Sequence, residues 1–266
     1  MDGPTSFPEL NGILALYVTG ARRVLGTNFV GAYLTGSFAL GDADAGSDVD
    51  FLIVVRELLG KGQRRDVQAM HREVYDLPSH WAKHLEGSYF PAGLLRHPDP
   101  GRTPVPYFDH GSRDLEYSDH DNTLVVRWVT REHGLSLAGP PPRELIDPVD
   151  SDDLRAEARA RFETWGQAVL DGSESLDNDW IQPYAALSFA RMLHTLDTGA
   201  VHSKKAAVAW AERHAPEWAP LLGRAWAKHA DQFLRYHTPP DPTDAALTRD
   251  FIRFALNHPL ALTPGA

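Results

Sequence analysis

The stretch that most constrains the fold is Asp48-Val49-Asp50, which runs directly into the apolar segment Phe51-Leu52-Ile53-Val54-Val55. An apolar run of this kind marks a buried strand. Alternate side chains of a strand point the same way, so Asp48 and Asp50 project together while Val49 and Phe51 pack on the opposite face. Two carboxylates converging ahead of a buried strand point to a divalent metal site, because hard cations take oxygen ligands. Ten intervening residues separate Asp48 from Gly36-Ser37, a turn at the end of another apolar stretch at which glycine permits close backbone approach to a ligand.

Around this centre the chain reads as a mixed sheet with flanking helices. Apolar residues at helical spacing predict a helix over Pro8 to Leu25, a strand follows at Phe29 to Thr35, and Asp48 to Val55 is the next strand. Gly60 to Leu77 is amphipathic and helical, His84 to Phe90 is a third strand, and Glu86 shares a face with Ser88 and Phe90. The Gly, Pro and Asp-rich residues 91–113 read as an irregular excursion with a short strand at Val105 to Phe108. A helix over Leu124 to His133 and a strand at Leu135 to Ala138 complete this part. Beyond Asp150 strand signals disappear, and Asp152 to Leu170, Trp180 to Gly199, Ser203 to His214, Pro216 to Tyr236 and Asp241 to Asn257 all carry helical periodicity. The fold class is therefore α+β, with a mixed-sheet domain over 1–149 and an all-helical domain over 150–266, the boundary falling near Pro148 to Asp153.

These residues resemble a known family. Gly36-Ser37, ten intervening residues and Asp48-Val49-Asp50 at a strand start are similar to the nucleotidyltransferase signature of the DNA polymerase β-like superfamily. His84-Leu85-Glu86-Gly87-Ser88-Tyr89-Phe90 sits where the aminoglycoside nucleotidyltransferases of the streptomycin/spectinomycin type place a third carboxylate. The segments Arg131 to Pro140, Glu144 to Val149, Leu187 to Arg191 and Ser203 to Ala211 resemble other parts of those enzymes. The resemblance implies a magnesium-dependent transfer of AMP from ATP to a hydroxyl of an aminoglycoside, releasing pyrophosphate. Asp48 and Asp50 supply metal ligands from one strand face, Glu86 is a further metal ligand or the general base for the acceptor hydroxyl, and the resemblance implies the base role. It also implies nucleotide contacts from Gly36, Ser37, Ser47, Arg191 and Lys204, with Lys205 as the register rival of Lys204. The same fold acting on another small molecule or on a protein, or serving as a catalytically silent nucleotide-binding regulator, is the alternative.

Acceptor recognition is expected from the acidic, tryptophan-containing segment that includes Asp177, Asp179 and Trp180, together with Trp165. Carboxylates pair with the amino or guanidino groups of a cationic small molecule, and tryptophan stacks on its apolar or cationic face. This segment does not align cleanly with the streptomycin/spectinomycin enzymes. A formal net charge of -10 gives no broad electrostatic footprint for nucleic acid and suits a cationic partner. No apolar run reaches membrane-spanning length, the N-terminus lacks the basic and apolar regions of a signal peptide, and the absence of cysteine is compatible with the cytoplasm. His80 and His84, four residues apart, read as a solvated pair because the sequence places no third histidine beside them, and Asp119-His120-Asp121 reads as a helix N-terminal cap region.

Overall fold

The computed structural model describes residues 3–229 and 235–262. Two compact units are present: residues 1–41 with 47–149, and residues 42–46 with 150–266.

The first unit runs α1 (Pro8–Leu25), β1 (Phe29–Leu34), α2 (Gly36–Leu40), β2 (Val49–Val55), α3 (Lys61–Tyr75), β3 (Leu85–Pro91), α4 (Ala92–Arg96), β4 (Val105–Phe108), β5 (Leu115–Ser118), α5 (Leu124–His133), β6 (Leu135–Ala138) and α6 (Pro142–Leu145). The six strands form one sheet in the order β5-β4-β3-β2-β1-β6. β2 and β3 are parallel, joined by the crossover through α3, and the other pairs are antiparallel. β2 is central and both its faces are covered, which accounts for its unbroken apolar run. On one face Phe51, Tyr89 and Phe108 meet Tyr17 of α1 and His71 of α3. On the other, Leu52, Val54 and Phe90 pack with Leu95 of α4 and with Val126 and Leu145. In the parallel register Asp50 stands beside Glu86, so both carboxylates leave the sheet on the Leu52 and Val54 face.

His71 is fully buried, with Tyr17 Oη 3.1 Å from its Nδ1, the Ser112 carbonyl 3.0 Å from its Nε2, and its ring stacked on Phe108. Burial pushes its pKa down to about 4, against the partial opposition of the Ser112 bond. The unfolded chain binds a proton near pH 6.5 and the folded one does not, so stability is whole above that pH. Below it, His71 removes about 1.4 kcal/mol per pH unit until about pH 4. Denaturant titrations across this range should show that slope, and His71→Phe should lose its share of it while being less stable at pH 7.

The second unit contains α7 (Ser151–Asp171), α8 (Ile181–Thr198), α9 (Lys204–His214), α10 (Ala219–Ala227), α11 (Pro242–Leu256) and α12 (Pro259–Leu262). α8 is buried almost all round, with Ala185, Ala186, Leu187, Phe189, Ala190 and Leu193 in the core, so it is the central helix against which α7, α9, α10 and α11 pack. The helix expected over Pro216 to Tyr236 is instead a 3₁₀ turn at Pro216–Trp218 followed by α10. Pro216 and Pro220 both occupy first-turn positions, where a missing N–H costs least, and a single helix would carry Pro220 in its interior. Residues 230–234 of that expected helix lie outside the described residues.

Candidate active site

β1 ends at Leu34, and the Thr35 N–H donates to the Asp50 carbonyl at 3.0 Å, which holds the following Gly36 against β2. Gly36 has φ +56°, and a Cβ there would lie 1.8 Å from Asp50 Oδ2. Only glycine accepts both the left-handed backbone and the carboxylate at that distance. The turn continues into the five-residue helix α2 rather than ending as a simple loop. The Ser37 hydroxyl on that helix is buried with no hydrogen-bond partner among the described residues, a costly arrangement that a polar ligand would relieve.

Asp48, Asp50 and Glu86 each present one oxygen within 4.8 Å of the others, a grouping that fits a hard divalent cation. Glu86 is 9% exposed, and burial, followed by the charges of Asp50 and Asp48, pushes it up to about 9. The neighbouring aspartate charges oppose ionisation of Glu86, and a cation among the three carboxylates would relieve that opposition.

Two neighbours of Glu86 are not apparent from the sequence. Tyr107 on β4 donates its hydroxyl to Glu86 Oε1 at 2.5 Å, and His120 Nε2 lies 3.5 Å from the same oxygen. Ser88, next on the Glu86 face of β3, donates to the buried carboxylate of Asp121 at 2.7 Å. Asp119-His120-Asp121 is therefore not the cap of α5; that cap is Thr123, whose hydroxyl accepts from the Val126 N–H. Of the expected solvated pair, His80 is exposed but His84 is half-buried. A third histidine is present, His110, whose Nε2 is 2.5 Å from His84 Nδ1, while the His80 and His84 rings lie 4.2 Å apart. Burial, with His110 and His80 nearby, pushes His84 down to about 4. β4 was legible as a strand, but its register against β3, which sets Tyr107 beside Ser88, was not.

The remaining candidates fall as follows. Ser47 is buried in the first unit. Arg191 is half-buried on α8, and Lys204 is the first residue of α9, capped by Ser203, with its Nζ 5.1 Å over the Tyr184 ring. Trp180 is half-buried and stacks on Tyr184 at 5.3 Å, and Asp177 is exposed. Trp165 must be corrected: it faces inward from α7, 9% exposed, stacked on Phe189 within the helical core, and offers no ligand platform. Asp179 is corrected too. It is 4% exposed and committed to Lys228 at 2.6 Å and Arg235 at 3.0 Å, so its charge is spent inside the unit rather than on a cationic ligand. Asp179→Ala takes the nearer carboxylate from Lys228, which keeps Asp244 at 3.6 Å, and one partner from Arg235, and should cost about 1–3 kcal/mol. Chemical denaturation measures that loss, while the acceptor KM of the folded variant stays unchanged.

Comparison with known proteins follows the same division. The nucleotidyltransferase domain family matches residues 21–89, which hold Gly36, Ser37, Asp48, Asp50 and Glu86. The family described as aminoglycoside adenylyltransferase, C-terminal domain, matches residues 144–248. Aminoglycoside (3'') (9) adenylyltransferases of Shigella flexneri and Escherichia coli are each 23% identical to the chain over 236 residues, spanning 80% of it and 83% and 82% of themselves. A spectinomycin adenyltransferase from Enterococcus faecialis, crystallised with ATP and spectinomycin, shares the fold with a TM-score of 0.69 at 18% identity, covering 93% of this chain and 99% of that one. Among the described residues no helix is long and apolar enough to cross a membrane.

Proposed function

We propose that the chain is a nucleotidyltransferase of the aminoglycoside adenylyltransferase kind, one that transfers AMP from ATP to a hydroxyl of a streptomycin- or spectinomycin-type antibiotic, releasing pyrophosphate. The observation that carries this reading is the convergence of Asp48, Asp50 and Glu86 beside Gly36, whose lack of a side chain leaves room for the Asp50 carboxylate.

Asp48, Asp50 and Glu86 would hold magnesium, whose charge, when bound, offsets that of the phosphates and leaves Glu86 ionised. The Gly36 backbone and the Ser37 hydroxyl, buried without a partner among the described residues, would meet phosphate oxygens, with Ser47 a further nucleotide contact. Arg191 and Lys204 supply positive charge for the β- and γ-phosphates. Glu86 takes the proton from the acceptor hydroxyl as its oxygen bonds to the α-phosphorus. The bond from that phosphorus to the α–β bridging oxygen breaks, and pyrophosphate departs with the electron pair. Asp177 and the Trp180 ring, stacked on Tyr184, are the acceptor contacts proposed for a cationic aminocyclitol.

Calorimetry and pyrophosphate release, run with ATP, magnesium and an antibiotic panel, test this reading. The expected result is release that requires magnesium, ATP and a streptomycin- or spectinomycin-type acceptor together. ATP binding without any acceptor-dependent release would favour a regulatory nucleotide-binding protein instead.

A further inference from the structure

We propose that Tyr107 is a positioning residue for Glu86, its phenol fixing the rotation of the carboxylate so that the remaining oxygen lone pairs are held toward Asp48 and Asp50. The inference rests on Glu86 acting in AMP transfer. It comes from the β3–β4 pairing: Ser88 stands opposite Tyr107, which puts the phenol diagonal to Glu86 on the same sheet face. The ring is 2% exposed, and its hydroxyl meets Glu86 Oε1 at 2.5 Å.

A phenol carries one proton, and two carboxylates compete for it. Asp109 Oδ1 is 3.2 Å away, clearly farther than Glu86 Oε1, so the proton is committed to Glu86. His120 closes the arrangement, its ring stacked on Tyr107 with centroids 5.5 Å apart and its Nε2 3.5 Å from the same Glu86 oxygen. A glutamate has three rotatable bonds, and among the described residues the terminal one is held at Oε1 by Tyr107 and by the longer His120 approach.

Tyr107→Phe keeps the ring, its packing and the stack on His120 but removes the donor. Loss of a partner that orients a ligating or catalytic group typically costs about 10- to 100-fold in activity, and kcat should fall by that factor with the KM for ATP and the melting temperature unchanged. A double-mutant cycle separates positioning from a merely structural role: added to Glu86→Gln, the Tyr107→Phe change should lower the residual rate no further. An undiminished kcat in the single variant, or an equal loss in the Glu86→Gln background, overturns the proposal. A crystal structure of Tyr107→Phe reads the carboxylate directly and independently of turnover. A rotated Glu86 carboxylate supports the proposal, and an unmoved one overturns it. If the wild type transfers AMP to no acceptor, the proposed function has failed, whereas an active wild type with an unmoved Glu86 is the failure of this inference alone.

Discussion

Asp48→Asn should leave a folded protein that binds magnesium-ATP weakly and transfers AMP at least about 100-fold more slowly, since losing even a residue that supports a metal ligand costs about 10- to 100-fold. The side chain is half-exposed at the entrance to β2, so the change removes a charged oxygen ligand without opening a cavity. Glu86→Gln should behave differently, losing transfer while keeping much of its ATP binding. It should also raise the melting temperature of the metal-free protein at neutral pH. With its folded pKa lifted to about 9, Glu86 keeps a proton that the unfolded chain sheds above its ordinary value of 4.5, so it costs the fold stability as pH rises between those values. A glutamine carries no such cost. Titration calorimetry with magnesium-ATP, a turnover assay and melting curves read the three effects separately.

Gly36→Ala should be nearly as damaging, for a reason that is steric rather than chemical. The new methyl group would occupy the place of Asp50 Oδ2, and the backbone there is left-handed, a conformation that costs a non-glycine residue about 1–3 kcal/mol. Displacing the Asp50 carboxylate by about 1 Å is enough to lose about 100-fold in rate. Gly41 provides the comparison. It too has positive φ, at +77°, but a Cβ there would meet nothing within 4 Å. Gly41→Ala should therefore lower the melting temperature and spare turnover, whereas Gly36→Ala loses both. Equal activity in the two variants would show that the approach of Gly36 to Asp50 has no catalytic role.

What the sequence made legible was local. The periodicity of Pro8–Leu25, Leu124–His133 and Leu135–Ala138 marks elements whose observed bounds are the expected ones, because hydrophobic spacing and turn residues act over a few neighbours. The alternation through Asp48, Asp50 and Glu86 likewise placed three carboxylates on strand faces that the parallel β2–β3 register then brings side by side. Strand β5 escaped notice because its four residues are half exposed and follow a Gly and Asp-rich loop, so they carry little apolar signal. Tyr107 and His120 escaped because only the pairing of β4 with β3 and the path of the chain before α5 bring them to Glu86. Trp165 and Asp179 show the converse limit. A tryptophan serves equally as core or as platform, and an aspartate as ion-pair partner or as ligand contact; the choice was made by the Phe189 ring and by the Lys228 and Arg235 side chains, from distant parts of the chain.

The proposed reaction moves AMP at the Asp48, Asp50 and Glu86 site to an antibiotic hydroxyl. Mass spectrometry of streptomycin and spectinomycin after incubation with the protein, ATP and magnesium tests that most directly. The predicted result is an antibiotic heavier by one adenylyl group in the wild-type reaction, with no adduct in the Asp48→Asn reaction or without magnesium. Unmodified antibiotic in a reaction where the wild-type protein demonstrably binds magnesium-ATP would contradict it.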